Sequence, residues 1–130
     1  MDAQRPASAI ALVLVGIVVP LWWLALFAND AFRERFVAPA DWPALRPFLL
    51  PDFGLASLTI ACGVQGLRGR LSRLMAGLAC GAWGYATLWT VGAMLSATLR
   101  AVGVVLMLTA LTVVTLCCHA LVSKSSARVD

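Results

Sequence analysis

Four long apolar runs, separated by short polar segments, make up most of this chain. They cover residues 7–28, 48–67, 74–99 and 101–122, and Asp52 is the one Asp, Glu, Lys or Arg inside them. A helix needs about 20 residues, each rising about 1.5 Å, to cross a hydrocarbon core about 30 Å thick. Each run therefore predicts a transmembrane helix. We expect an all-α fold, a four-helix transmembrane bundle that occupies residues 1–130 as a single domain.

The composition supports a membrane protein built of helices. Of the 130 residues, 62% are hydrophobic and 12% are charged, whereas soluble domains average about 45–50% apolar and about 25% charged residues. The strands of a membrane barrel would alternate apolar and polar residues over segments of about ten. The runs here are continuous, so helices are the spanning structure that satisfies their backbone groups in lipid.

The basic residues indicate how the chain is oriented in the membrane. All ten lie outside the apolar runs, where they can contact anionic headgroups, so the net charge of +4 does not indicate a nucleic-acid partner. If four helices alternate in direction, six basic residues share a side with both termini and four lie on the other side. The positive-inside rule then predicts cytoplasmic termini in a bacterial-type inner membrane or a plasma membrane, with a dual-topology homodimer left open. The six are Arg5, Arg68, Arg70, Arg73, Lys124 and Arg128.

The one long connection, residues 29–47, predicts a cap on the other side of the membrane. Its first part places Phe32 and Phe36 on one helical face, as in an amphipathic turn at a membrane interface. The three prolines that follow should oppose a continuous helix and favour a stiff, folded cap. Such a cap is a candidate surface for a partner or a lid over a ligand, and the alternative is an inert connector.

Small residues on the second and third runs predict close helix contacts. Glycines let helix backbones approach each other where lipid provides no hydrophobic driving force. The neighbour is left open between another helix of this chain and a helix of another chain. The glycines expected to have helix-packing roles are Gly63, Gly66, Gly77, Gly81 and Gly84.

Aromatic residues and one histidine are candidates for binding an apolar cofactor whose identity stays unknown. Trp83 and Trp89 lie near the middle of the third run, where they either line a pocket for a lipid, quinone or pigment or fill the core. His119, the only histidine, either ligates haem or a chlorophyll-type magnesium ion or reaches the headgroups. Trp22 and Trp23, which are adjacent to each other in the first run, are typical of anchors at the membrane interface.

Threonines on the fourth run form a polar stripe. Thr109, Thr112 and Thr115 recur at steps of three, and the stripe ends at the histidine four residues further on. Such threonines commonly bond to the backbone of their own helix. The alternative is a path through a self-associated carrier or channel, which Gln65 and Thr87 would help to line.

Asp52 lies in the first turn of the second predicted helix, next to Pro51. A proline and an acidic residue are typical of a helix N-terminus, where a carboxylate faces the positive end of the macrodipole. A carboxylate this close to the membrane core is also a candidate intramembrane functional acid. Both interpretations of Asp52 stay open.

Residues with reactive chemistry are few. The four cysteines, Cys62, Cys80, Cys117 and Cys118, show no Cys-x-x-Cys spacing and are expected to fill space in the core. The adjacent pair beside His119 is the one set with the chemistry to bind a soft metal. Because adjacent helical side chains point about 100° apart, we predict no metal site. No phosphate loop, HExxH pattern or nucleophile elbow is present, so we predict no catalytic residues and no enzyme.

These features together predict a non-catalytic membrane protein. We expect an accessory, assembly or scaffold subunit of a larger membrane complex, because packing signals are abundant and reactive residues are few. Its partners would be membrane lipid and other transmembrane chains or a second copy of itself. The alternatives are a small self-associating transporter or channel and a binder of an apolar cofactor or lipid.

Overall fold

The computed structural model describes residues 4–96 and 100–126, and within them the chain is helical with no strand. The all-α prediction is confirmed. Four long helices account for most of the structure, and short helical segments connect the first two. The helices are α1 (Gln4–Ala28), α2 (Asp30–Arg33), α3 (Trp42–Leu45), α4 (Leu49–Leu67), α5 (Arg73–Leu95) and α6 (Ala101–Ser126).

Three helices are long and apolar enough to cross a membrane. They are Pro6–Ala28, Ala101–Ser123 and Pro39–Leu67. The last of these is α4 together with the short helical segments that precede it. The remaining long helix, α5, has 23 residues and no charged residue after Arg73. Its glycines, threonines and aromatic residues with polar atoms lower its hydrophobicity. By length and composition the described chain therefore has three candidate spans, one fewer than the apolar runs predict.

The proline-rich segment before α4 is helical, which corrects the expectation that its prolines oppose a continuous helix. Pro39, Pro43 and Pro47 each lie at the first or second position of a short helical segment. At these positions the missing N–H would have no acceptor inside the helix anyway. Successive segments therefore lead directly into α4. Residues 29–48 form the cap, whose apolar side chains pack on the end of α1.

The long helices run between two ends of the bundle, the turn end and the cap end. At the turn end, residues 68–72 join α4 to α5. Gly69 adopts a left-handed conformation there (φ 66°), and the Ser72 hydroxyl accepts a backbone hydrogen bond at 3.2 Å in the first turn of α5. At the cap end, the Arg100 N–H donates to the Phe36 carbonyl at 3.0 Å, so α6 begins beside the cap. α5 therefore runs from the turn end to the cap end, and α6 runs back.

α1 and α4 pack with their backbones in contact. A Cβ atom on Gly63 would lie 2.7 Å from the Ala9 carbonyl oxygen, and one on Gly16 would lie 2.9 Å from the Ala56 carbonyl oxygen. Real Cβ atoms essentially never approach another atom this closely, so both positions require glycine. Because the two contacts lie seven residues apart on each helix and run in opposite directions, α1 and α4 are antiparallel along most of their length.

A closed core joins the four long helices at the turn end. Leu12 of α1, Cys62 of α4, Ala79 of α5 and Val114 of α6 are each 0% exposed and belong to one apolar cluster. The residues that meet here are small or of medium size, which lets the helices converge. The turn end is therefore the tightly packed end of the bundle.

We predict that Gly63→Ala destabilises the fold and that Gly81→Ala does not. The methyl group on residue 63 would overlap the α1 backbone, and overpacking of this kind costs about 1–3 kcal/mol. A Cβ on Gly81 meets nothing within 4 Å, and alanine is favoured over glycine in a helix by about 1 kcal/mol. Thermal unfolding of both variants in one detergent, followed by tryptophan fluorescence, measures the difference. Equal midpoints would contradict the α1–α4 contact.

Candidate functional site

A cavity of about 970 Å³ lies at the cap end, between the four long helices and the cap. Its walls are mostly aliphatic and aromatic side chains from α1, α4, α5 and α6, and the cap contributes further aromatic rings. Its size is near the top of the range of about 300–1,000 Å³ in which small-molecule sites lie. All five tryptophans of the chain line it: Trp22, Trp23, Trp42, Trp83 and Trp89.

The cavity has openings between helices as well as enclosed walls. Leu14 and Val18 of α1 and Leu106 of α6 line it, and they are 57%, 58% and 45% exposed. Tyr85 of α5 also lines it and is 74% exposed. Because these side chains contact both the cavity and the exterior, they mark its rims. A molecule beside the bundle can therefore reach the cavity laterally, without passing through the cap.

On α5 the cavity lining runs from Ala82 to Thr90, so Trp83 lies on its turn-end side, and a chain of hydrogen bonds holds it. Its indole Nε1–H donates to the Thr59 hydroxyl at 2.9 Å, and that hydroxyl donates to the Leu55 carbonyl at 2.7 Å. Trp83 and Thr59 are both buried. A buried indole N–H without an acceptor would cost free energy, and this one has its acceptor inside the chain. The floor of the cavity is thus fixed at Thr59 on α4.

Aromatic rings of α1, the cap and α5 contact one another around the opposite end of the cavity. The ring centroids of Trp22 and Phe36 lie 4.3 Å apart in an edge-to-face arrangement. Those of Phe48 and Trp89 lie 4.0 Å apart. These two pairs connect the cap to α1 on one side and to α5 on the other. The cap therefore forms part of the cavity wall and is not a separate element on the surface.

Two arginines contact Trp42 of the cap. The guanidinium carbons of Arg33 and Arg46 lie 4.9 Å and 6.0 Å from its ring centroid, within the range of cation–π attraction. Arg33 also forms an ion pair with Asp30 at 2.7 Å. Neither arginine lines the cavity. Their charges therefore interact with the indole and with an exposed carboxylate, outside the apolar space.

Asp52 is the one acidic or basic residue that lines the cavity. Its Oδ2 accepts a hydrogen bond from the Trp23 indole Nε1–H at 2.8 Å, which ties the first turn of α4 to α1. The carboxylate makes no hydrogen bond to the backbone of its own helix among the described residues, so it does not act as a helix cap. Trp23 is 5% exposed. This corrects the expectation of an interface anchor, because its N–H bonds to Asp52 and not to water or headgroups.

The structure places only part of the predicted cofactor-binding set at this cavity. Trp83 and Trp89 line it, whereas His119 is exposed on α6 and does not line it. Within one chain, the histidine is therefore not brought to the two tryptophans.

The threonine stripe of α6 lies on the exposed face of that helix. Thr109, Thr112 and Thr115 are all exposed, and the hydroxyls of the first two donate to carbonyls four residues earlier at 2.9 Å. Only Thr109 also lines the cavity, and Gln65 and Thr87 do not. The stripe and these two residues therefore do not form a common path through the described part of one chain.

The predicted packing glycines divide into two groups. Gly63 contacts α1, and a Cβ on Gly66 would lie 2.8 Å from a methyl carbon of Leu121 on α6. A Cβ on Gly77, Gly81 or Gly84 of α5 would meet nothing within 4 Å among the described residues. The α5 glycines therefore face outward from the bundle.

Three cysteines from different helices meet near the turn end. The Cys62 thiol donates to the Met75 carbonyl at 3.5 Å, and Cys80 packs against the apolar cluster that contains Cys62 and Cys118. Cys62 and Cys118 are buried, whereas Cys117 is partly exposed. Over residues 4–96 and 100–126, no group of three or more His, Cys, Asp or Glu side chains is placed to hold a metal ion.

No family model, curated protein or solved structure matches this chain. The geometry of the cavity is therefore the basis for a functional proposal. Two features are not predicted by the sequence: the contact of Gly16 with α4, and the participation of Phe36 and Phe48 in the cavity wall. The dense aromatic residues between positions 22 and 48 were the available signal, because so many rings beside one helix end favour a shared apolar cluster.

Proposed function

We propose that this protein binds an apolar or amphipathic small molecule of the lipid or ring-containing class in the cavity at the cap end. The observation that carries this proposal is that all five tryptophans surround one cavity of about 970 Å³. Tryptophans of membrane proteins are usually enriched at the two membrane interfaces. Here they line an internal space from the cap to the floor at Thr59, which supports recognition of a ligand over anchoring.

The size of the cavity supports the same proposal. An unfilled space deprives the side chains around it of dispersion contacts, at a cost that grows with its volume. A ligand or the acyl chain of a lipid would restore those contacts. The protein would act without catalysis, as a membrane-embedded carrier, receptor or holder of such a molecule.

We further propose that α5 crosses the membrane, which makes the fold a four-helix transmembrane bundle. At 23 residues its length is about 35 Å. It leaves the turn end and arrives beside the cap, where the hydrogen bond between Arg100 and Phe36 holds the start of α6. Since α4 connects the same two ends, this placement supports a fourth crossing. Both termini would then lie in the cytoplasm of a bacterial-type inner membrane or a plasma membrane, according to the basic residues.

Cysteine labelling tests the fourth crossing. In a chain whose native cysteines are replaced by alanine, Ala101→Cys should react with a membrane-impermeant maleimide in intact cells. Ala40→Cys in the cap serves as the outer control and Ser72→Cys in the turn as the inner control, and all three positions are exposed. If Ala101→Cys reacts only after the membrane is opened, as Ser72→Cys should, α5 does not cross.

A brominated probe tests the ligand site. Bromoundecanol is a neutral amphiphile whose bromine quenches tryptophan fluorescence at contact, and it should quench this protein saturably in zwitterionic bilayers. Ala86→Phe would place a ring in the cavity and should weaken binding about tenfold, which corresponds to about 1.4 kcal/mol. Ala7→Phe changes an exposed residue of α1 outside the cavity and should have no effect. Quenching that is equal in all three proteins would contradict the proposal.

An accessory or scaffold role is a second candidate, favoured by the outward glycines of α5. Gly77, Gly81, Gly84 and Gly92 have open space around them, and glycine-lined faces are where membrane helices approach each other. The combined change Gly77→Leu and Gly81→Leu should reduce the mass of the purified assembly in mild detergent, because leucine would fill that face. Ala28→Leu, at an exposed site on α1, is the control. A wild-type protein that purifies as a solitary monomer would exclude this role.

A further inference from the structure

We propose that the ligand carries a cationic head group, such as an amine or a quaternary ammonium, which pairs with Asp52 inside the cavity. This inference rests on the proposed function and narrows its ligand class to lipophilic cations. It depends on the charge of the cavity lining, on the unsatisfied side of the Asp52 carboxylate, and on the aromatic rings beside it.

The charge of the lining is the first argument. About thirty residues line the cavity, and Asp52 is the only Asp, Glu, Lys or Arg among them. A carboxylate in an apolar space is costly unless it is paired and hydrogen-bonded. Among the described residues, Asp52 has no salt bridge. A ligand cation would therefore supply the charge that the chain does not.

The geometry of the carboxylate is the second argument. Oδ2 accepts the Trp23 indole N–H at 2.8 Å, and Oδ1 accepts no hydrogen bond from a described residue. An ionised carboxylate has room for about four hydrogen bonds. Because Trp23 holds one oxygen, the side chain is kept in place while the other oxygen stays free for a ligand.

Two of the three arginines of the cap contact its Trp42 ring, and the third, Arg35, is exposed and does not line the cavity. Arg33 is paired with Asp30 at 2.7 Å and lies against Trp42, and Arg46 also contacts Trp42. Neither lines the cavity. These two guanidinium groups therefore contact the Trp42 ring, and no basic side chain among the described residues pairs with the Asp52 carboxylate.

The aromatic lining is the third argument. Indole rings attract cations through the negative potential of their faces, most strongly where water is excluded. Trp23 is hydrogen-bonded to Asp52, and Trp22 and Trp89 line the same end of the cavity. The floor at Thr59 lies seven residues further along α4, or about 10 Å. A ligand with its head at Asp52 therefore has room for an apolar body of about that length above Trp83.

Three brominated amphiphiles with one tail test this inference. Bromoundecyl-trimethylammonium, bromoundecanol and bromoundecanoate share the same quencher and differ only in the head group. Quenching of the protein is measured in zwitterionic bilayers at equal membrane-bound probe concentrations, and tryptophan octyl ester in the same bilayers gives the background. We expect the cation to bind about tenfold more tightly than the alcohol and the anion most weakly.

Substitutions at two aspartates show which carboxylate is responsible for the preference for the cationic probe. Asp52→Asn keeps an acceptor for Trp23 and removes the charge, so the cation should bind no better than the alcohol, whose own binding should not change. Asp30→Asn removes an exposed carboxylate of the cap and should leave the preference for the cation intact.

Each other outcome overturns the inference, and one of them also removes the proposed function. Equal binding of cation and alcohol by the wild-type protein would refute the cationic ligand while leaving an apolar site. An equal loss of preference in Asp30→Asn would assign the effect to surface charge. A preference for the cation that persists in Asp52→Asn would show that this carboxylate does not hold the head group. Quenching by all three probes at the background level would exclude the ligand site itself.

Discussion

The backbone contact between α1 and α4 is the constraint on which the rest of the structure depends. Gly16 and Gly63 let these helices lie closer than any side chain would permit, so together they form one wall of the bundle. At the turn end, small residues such as Ala9, Ala79 and Gly66 let α5 and α6 close onto that wall. At the cap end the cavity lining is rich in large aromatic side chains. The closed core and the cavity therefore coincide with a change in side-chain size along the bundle.

Three buried hydrogen-bonding groups around the cavity have the partners within the protein that such groups need. The Trp83 N–H uses Thr59, the Thr59 hydroxyl uses the Leu55 carbonyl, and the Trp23 N–H uses Asp52. The two indole bonds join α5 to α4 and α1 to α4, so they also fix the spacing of the walls. One carboxylate oxygen of Asp52 stands outside this pattern. It is the natural point at which a ligand with polar character would meet an otherwise apolar surface.

Much of the helical architecture could be predicted from the sequence, because long apolar runs leave few alternatives. The second run, residues 48–67, corresponds closely to α4, Leu49–Leu67. The third run was expected to reach residue 99, whereas α5 ends at Leu95. The effect of the cap prolines was predicted wrongly, since proline opposes a helix only in its interior and is compatible with the first turn. Composition alone does not show which of these positions a proline will occupy.

The site was harder to predict, because it depends on which faces meet. Gly63 and Gly81 lie in similar small-residue patterns, yet one contacts a neighbouring backbone and the other faces open space. The hydrogen bond between Trp23 and Asp52 joins residues 29 positions apart, and no local pattern specifies it. In the folded chain the two ends of the bundle have different roles: the turn end stabilises the arrangement of the helices, and the cap end forms the cavity. Glycine contacts and the closed core maintain the turn end, so side chains lining the cavity at the cap end can differ in shape and charge while the helices keep their arrangement.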